Sequence, residues 1–209
     1  MEAIKRSGQD VTITFDDGYS GLADHAFPIL QGLGMRALVF VISEYVGKEN
    51  TWDVQYGWTS FRHLDWNTLG RWQEAGVIQV HSHGARHRRL TWLSDQEIAD
   101  ELGRARQEIR QRLGRAPSAI AYPYGAVNER VKRLAIEAGH TAGYAGPSTG
   151  VEGDPMMQPR LSVYAWDAGD LPLVLREDTV GDAARAVSRF TNRCSVGTAL
   201  FQRILGRAY

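Results

Sequence analysis

Apolar and polar positions alternate along this chain in two rhythms. Val11, Ile13 and Phe15 alternate with Thr12 and Thr14, the period of two that suits a pleated strand. The strand runs into Asp16-Asp17-Gly18, where glycine permits a turn. Asp24 to Leu33 reads as a short helix with Pro28 in its early part and Gly34 as its stop. Residues 36–43 (RALVFVIS) form a second strand, apolar on both faces as parallel strands under helices are. A long polar, tryptophan-bearing segment follows, Glu44 to Leu64. Asp65 then caps a helix that carries Leu69 and Trp72 on one face and ends at Gly76.

Val77 to Ser82 is a third strand, leading into His83-Gly84-Ala85-Arg86-His87. The clearest helix comes next. Ser94 and Glu97 form a capping-box pattern, and Ile98, Leu102, Ala105, Ile109 and Leu113 recur at helical spacing up to Gly114. Ala119 to Pro123 is a fourth strand, ending in Tyr122-Pro123-Tyr124-Gly125. Asn128 to Ala138 is a helix with Val131, Leu134 and Ala135 inward and Gly139 as its stop. Thr141 to Gly146 reads as a fifth strand and Arg160 to Tyr164 as a sixth.

Strands alternating with helices predict a parallel α/β fold, and in barrels of that kind chemistry sits where strands end. Asp16-Asp17, His83/His87 and Tyr122 to Gly125 all fall just after predicted strands. Two carboxylates at the end of a buried strand are costly unless a cation or a reaction uses them. Two histidines four apart meet one ion if the loop between them turns back, with Asp17 adding an oxygen. That set leaves a position for water. Asp16, adjacent and not ligating, is placed to take a proton. Taken alone, each cluster also reads as a solvated turn or as surface histidines. Together at matching strand ends they favour the metal site.

Length and composition narrow the class. The 209 residues suffice for one domain with a sizeable core, and no repeat or low-complexity linker divides them. The 24 basic and 24 acidic residues cancel, so no global field points to nucleic acid. The single cysteine, Cys194, excludes a disulfide framework and a multi-cysteine zinc site. No apolar run is long enough to span a bilayer, and Met1 to Arg6 lacks a signal peptide's apolar core. The default expectation is a cytoplasmic location.

Thr14-Phe15-Asp16-Asp17-Gly18 resembles the first motif of the polysaccharide deacetylases, carbohydrate esterase family 4. Ser82-His83 through His87 resembles the second, and Ala121-Tyr122-Pro123-Tyr124-Gly125 a variant of the third. The resemblance runs from about Val11 to Arg160. It implies a distorted, incomplete (β/α) barrel and a divalent metal, usually zinc, held by Asp17, His83 and His87. It implies Asp16 as general base and the backbone N–H of Tyr124 as a donor to the oxyanion. The reaction it implies is hydrolysis of the acetamido group of an N-acetylated amino-sugar glycan or glycolipid. A metal-bound water would attack the amide carbonyl.

Departures from the family pattern qualify this. Ala121 stands where the family often has an arginine that pairs with the base, and Arg160 is the candidate replacement. The fourth motif is not recognisable, Trp166-Asp167 having the residue types in the wrong order. The fifth motif's acid histidine is absent from its usual place, since no histidine follows His140. Either Asp16 both takes and returns the proton, or another residue is the acid. His81, on the same strand face as His83, is the first candidate, with His63 and His25 behind it.

Arg86, Arg88 and Arg89 flank His87, either as a solvated loop or as an anion-attracting rim. Trp52, Tyr56 and Trp58 suit packing of their loop or stacking on a sugar ring. From Ala183 to Tyr209, Val187, Phe190, Cys194, Phe201 and Ile204 recur at roughly helical spacing among arginines. Such a basic amphipathic segment covers the barrel or makes weak membrane-surface contact, and covering is favoured. Two further functions compete: another carbon–nitrogen amide hydrolase on the same scaffold, or a catalytically silent glycan-binding or assembly protein. A His, His, Asp site also accepts several divalent ions.

Overall fold

The computed structural model describes residues 1, 11–52, 61–163, 175 and 178–193. Five strands, β1 (Ile13–Phe15), β2 (Ala37–Val41), β3 (Ile78–Ser82), β4 (Ala119–Ala121) and β5 (Ala142–Tyr144), form one sheet in sequential order. Every pairing is parallel. Helices α1 (Phe27–Leu33), α2 (Trp66–Glu74), α3 (Asp95–Leu113) and α4 (Glu129–Glu137) make the crossovers, and α5 (Thr179–Arg193) follows. Strictly sequential order with a helix in each crossover curls the sheet into a half-barrel.

The helix starts are where the side-chain oxygens lie. Asp65 accepts from Thr68 N at 2.8 Å and Asn128 from Val131 N at 3.0 Å. Ser94 and Glu97 make the reciprocal capping box. The first helix differs from expectation: a wide π-type turn, Leu22–Ala26, precedes α1.

Alternate strand residues feed separate cores. Outward-facing Val39, Val41, Ile78 and Val80 pack with Phe27, Leu30, Leu69 and Ile109 from the helices. Ile120 packs with Ile98, Leu102, Val131 and Leu134. Burying each such side chain contributes about 1.5–3 kcal/mol. The concave face carries a smaller cluster, Phe40, Ala119 and Ala121, edged by Leu38, Ala142 and Tyr144. Small residues there leave room for polar side chains.

Among the described residues the expected sixth strand, Arg160 to Tyr164, is not formed; Tyr164 lies outside them. Residues 160–163 are irregular. The chain pairs earlier instead: Ala145 N–H donates to Gln158 O and Gln158 N–H to Gly143 O, a parallel bridge of Tyr144 with Gln158. Gly143 makes the approach possible, since a Cβ there would lie 2.2 Å from the Met156 carbonyl oxygen. The C-terminal helix starts at Thr179, before the expected Ala183, and Val187 on its predicted apolar stripe is 52% exposed. Tyr56, Trp58, Trp166-Asp167, the side chain of Phe190 and residues 194–209, with Cys194, lie outside the described residues.

Two buried histidines tie stability to pH. Burial holds His81 and His140 down to about 4, helped by Arg115 beside His81 and by Arg106 beside His140. Both bind protons more readily when unfolded. Their contribution is therefore complete above the unfolded value near 6.5 and is lost as pH falls from there toward 4. Each contributes roughly 2–3 kcal/mol across that window. Urea unfolding at pH 7 and pH 5 should show a lower midpoint at pH 5, with a smaller difference in His140→Leu. An unchanged pH difference in that variant sinks the assignment.

Candidate metal centre and its surroundings

Asp16, Asp17, His83, His87 and Tyr124 all follow strand ends, where the backbone leaves the ladder. After β1, Asp17 and Gly18 both take left-handed φ values, 65° and 69°. The turn closes with Gly18 N–H on Asp16 O at 2.8 Å, and a Cβ on Gly18 would press on Val41 at 3.1 Å. After β3, His83 is held by its own N–H on Val41 O at 2.8 Å. His87 reaches the same point through a left-handed φ of 59°. The loop turns back as two ligands four residues apart require.

His83 Nε2 lies 3.5 Å and His87 Nε2 3.7 Å from Asp17 Oδ1. One ligand atom from each of Asp17, His83 and His87 falls within 4.8 Å of the others. Donors about 2.0–2.2 Å from a tetrahedral zinc ion lie roughly 3.3–3.5 Å apart, close to the two distances to Asp17 Oδ1. The donor chemistry also fits. His83 Nδ1 is 2.7 Å from the Ala121 carbonyl oxygen, which only accepts. Nδ1 therefore carries the proton and Nε2 presents its lone pair to the site. Burial lowers the pKa of both histidines, most strongly for His87, and keeps them neutral. These three residues could hold a divalent cation.

Asp16 lies beside the set, its Oδ2 3.8 Å from His83 Nε2. Arg160 grips it with both ends of the guanidinium, Nη1 to Oδ1 at 2.6 Å and Nη2 to Oδ2 at 2.8 Å. Burial alone would raise the Asp16 pKa. The Arg160 charge, then His83 and the Arg160 hydrogen bonds, outweigh burial and bring it to about 2. Tyr124 stands in a third left-handed turn, φ 61°, just after β4, with its ring 4.7 Å from that of His87.

The remaining candidates are placed elsewhere. His81 Nδ1 accepts from Ala119 N–H at 3.3 Å and its ring lies against Phe40, not in the Asp16 cluster. His25 is exposed in the turn before α1. His140 is buried just before β5. His63 touches the main chain of Asp17 rather than Asp16. Arg86 and Arg88 are committed to α3 carboxylates, Arg86 to Asp100 and Glu101 and Arg88 to Glu97 at 2.7 Å. Arg89 lies over the Trp92 ring at 5.0 Å.

Sequence reasoning missed Glu101. It is fully buried on α3, and its Oε2 accepts from the main-chain N–H groups of Ala85 (3.1 Å) and Arg86 (2.9 Å). Its Oε1 accepts from Arg86 Nε at 2.5 Å. One carboxylate thus anchors the loop between the two histidines. The signal was in the pattern: Glu101 stands three residues after Ile98, on the stripe that buries Leu102 and Ala105.

A parallel half-barrel that gathers a two-histidine, one-carboxylate set at its strand ends defines a class of barrel with a candidate cation site. The comparisons with known proteins give that class a family. The family model for polysaccharide deacetylases matches residues 3–143, and the chain belongs to that family. It is 28% identical over 139 residues to YxkH of Bacillus subtilis, covering 66% of this chain and 45% of that protein. It is 26% identical over 140 residues to a poly-β-1,6-N-acetyl-D-glucosamine N-deacetylase of Staphylococcus aureus, covering 66% and 48%. The chain thus spans about half the length of these relatives. Among solved structures it resembles IcaB from Ammonifex degensii, with a TM-score of 0.63 and 22% identity over 86% of this chain and 72% of that one. It also resembles the Streptococcus pyogenes deacetylase PplD in complex with acetate, with a TM-score of 0.62 and 19% identity over 76% and 70%. At these identities the structural likeness is one of fold.

Removing Glu101 leaves two main-chain N–H groups and the Arg86 guanidinium without their buried acceptor. Glu101→Ala is expected to cost about 3 kcal/mol. Glu101→Gln should cost less, because its amide oxygen still accepts from main-chain N–H groups. Urea unfolding of the two variants checks this, and an Ala variant as stable as wild type refutes the anchoring role.

Proposed function

We propose that this chain is a metal-dependent hydrolase that removes the N-acetyl group from an N-acetylated amino-sugar glycan or glycolipid. One observation carries the reading: Asp17, His83 and His87 converge beside a carboxylate that Arg160 holds ionised and oriented. Family membership supports the reaction class, and the N-acetylglucosamine polymer named for the Staphylococcus aureus relative supports the kind of substrate. Zinc is the ion the donor set favours, although the same set takes other divalent ions.

In this reading Asp17, His83 and His87 hold the ion. When bound, it lowers the pKa of water and polarises the acetamido carbonyl. Arg160 fixes both Asp16 oxygens, so that Asp16 meets the nucleophile in one orientation. Asp16 accepts the proton as water adds to the carbonyl carbon. The backbone N–H of Tyr124 donates to the oxygen that becomes negative. The C–N bond then breaks, the nitrogen leaves with a proton returned from Asp16, and acetate and a free amine result. His81 is not used for that return, since its ring lies against Phe40 and not beside Asp16. Its part is structural.

Acetate release from N-acetylglucosamine oligomers, assayed after chelation and again after zinc addition, tests the reading. Chelation should abolish release and zinc should restore it. Asp16→Asn should lower turnover about 10²–10⁴-fold while zinc still binds at one equivalent. Release that survives chelation, or an Asn variant with wild-type turnover, overturns the mechanism.

A further inference from the structure

His63, between β2 and α2, meets the ligand set from a direction no motif predicts. It is 2% exposed, and both ring nitrogens are engaged. Nδ1 lies 2.8 Å from the main-chain oxygen of Asp17, and Nε2 lies 3.3 Å from Trp52 Nε1. The partners settle the protonation state. A carbonyl oxygen only accepts and an indole N–H only donates. The proton is therefore on Nδ1, the lone pair is on Nε2, and the ring is neutral.

Trp52 completes a relay. It is 4% exposed, and its ring centroid lies 4.0 Å from that of His87. One pair of side chains thus holds the backbone of one candidate ligand and the ring of another. The two ligands come from different strand ends, and both have left-handed backbones. The relay is itself fixed. Tyr19 stacks on His63 at 5.0 Å and 22°, and Asn50 Nδ2 donates to the Tyr19 hydroxyl at 3.0 Å.

We infer that His63, oriented by Trp52, is a positioning residue for the cation site. It holds the Asp17 peptide in the conformation that aims Oδ1 at His83 and His87. The inference rests on reading Asp17, His83 and His87 as metal ligands. A left-handed non-glycine residue persists only where its surroundings hold it there, as at Asp17. Without the donor on its carbonyl, Asp17 relaxes and Oδ1 leaves the shared point. The relay acts on Asp17 and His87 directly, so its effect should appear in metal binding before turnover.

The test is zinc affinity by competition with a chromophoric chelator, with the visible spectrum of the cobalt(II) form as a geometric readout. His63→Leu, which has neither donor nor acceptor, should bind zinc about 10–100-fold more weakly and shift the cobalt bands. His63→Asn places an amide N–H near the position of Nδ1 and should restore most of the affinity. Trp52→Phe keeps a ring against His87, loses the indole donor, and should fall between the two. Far-UV circular dichroism confirms that each variant is folded. Wild-type affinity and an unchanged cobalt spectrum in His63→Leu would overturn the inference, as would equal weakening of the Leu and Asn variants, which marks bulk packing alone. Failure of the wild-type protein to bind zinc is a separate result, because it removes the ligand assignment beneath the inference.

Discussion

The ion pair between Arg160 and Asp16 is the contact on which the site's geometry depends. The two residues are 144 positions apart and sit at opposite edges of an open sheet. Arg160 Nη1 also lies 3.3 Å from Thr14 Oγ1 on β1, and its Nε 3.5 Å from the Ala145 carbonyl oxygen beside β5. The guanidinium crosses the Phe40 ring at 5.7 Å on the way. A half-barrel lacks the strand pairing that would lock its first and last strands together. Here one planar cation with fixed donor directions spans that gap. Taking two charges largely out of water is expensive, and only bidentate geometry with further acceptors offsets the cost. Arg160 meets both conditions.

Backbone strain marks the same place. Three non-glycine residues among those described have positive φ: Asp17, His87 and Tyr124. All three lie in the loops after β1, β3 and β4, around one point. Conformations of this kind persist only where the surroundings over-determine them. Each has its own restraint. The Asp17 carbonyl takes the His63 N–H. The N–H groups of Ala85 and Arg86, just before His87, are fixed by Glu101. After Tyr124, Gly125 approaches Gly146 so closely that a Cβ would lie 2.6 Å from its backbone. The ligands come from strand ends, whereas the restraints come from a helix, a long connection and a glycine pair.

That division explains what was legible in the sequence. Strands and helices were readable because burial imposes period two or 3.6 on the chain, and caps such as Asp65 and Ser94 stand at fixed offsets from helix starts. Asp16, Asp17, His83 and His87 were readable because they are local, each directly after a strand. Glu101 and His63 were not read as anchors. Their roles depend on contacts across 16 and 46 positions; the helical period marks Glu101 as buried but does not report what it holds. Arg160 was visible as a candidate partner for Asp16. The strand expected to begin at it was not formed, because the chain had already spent its pairing with β5 at Gln158. A strand propensity says that a segment fits a pleated surface, not which residues of it find an edge.

The clamp on Asp16 also has a chemical consequence. A carboxylate held near 2 is ionised throughout the neutral range and is a weak base. Drawing a proton from bulk water onto it is steeply uphill, whereas giving that proton to a departing nitrogen is downhill. In the proposed reaction, proton return is therefore the easy half of the cycle for Asp16. Proton removal would be the hard half, and Arg160 makes it harder in exchange for orientation. Asp16 and the Asp17, His83 and His87 set accordingly make sense only together. In that reading the clamped base requires a neighbour that acidifies its partner, and the candidate ligand set requires a carboxylate that does not turn inward to become a fourth ligand. Arg160 enforces the second condition by occupying both Asp16 oxygens.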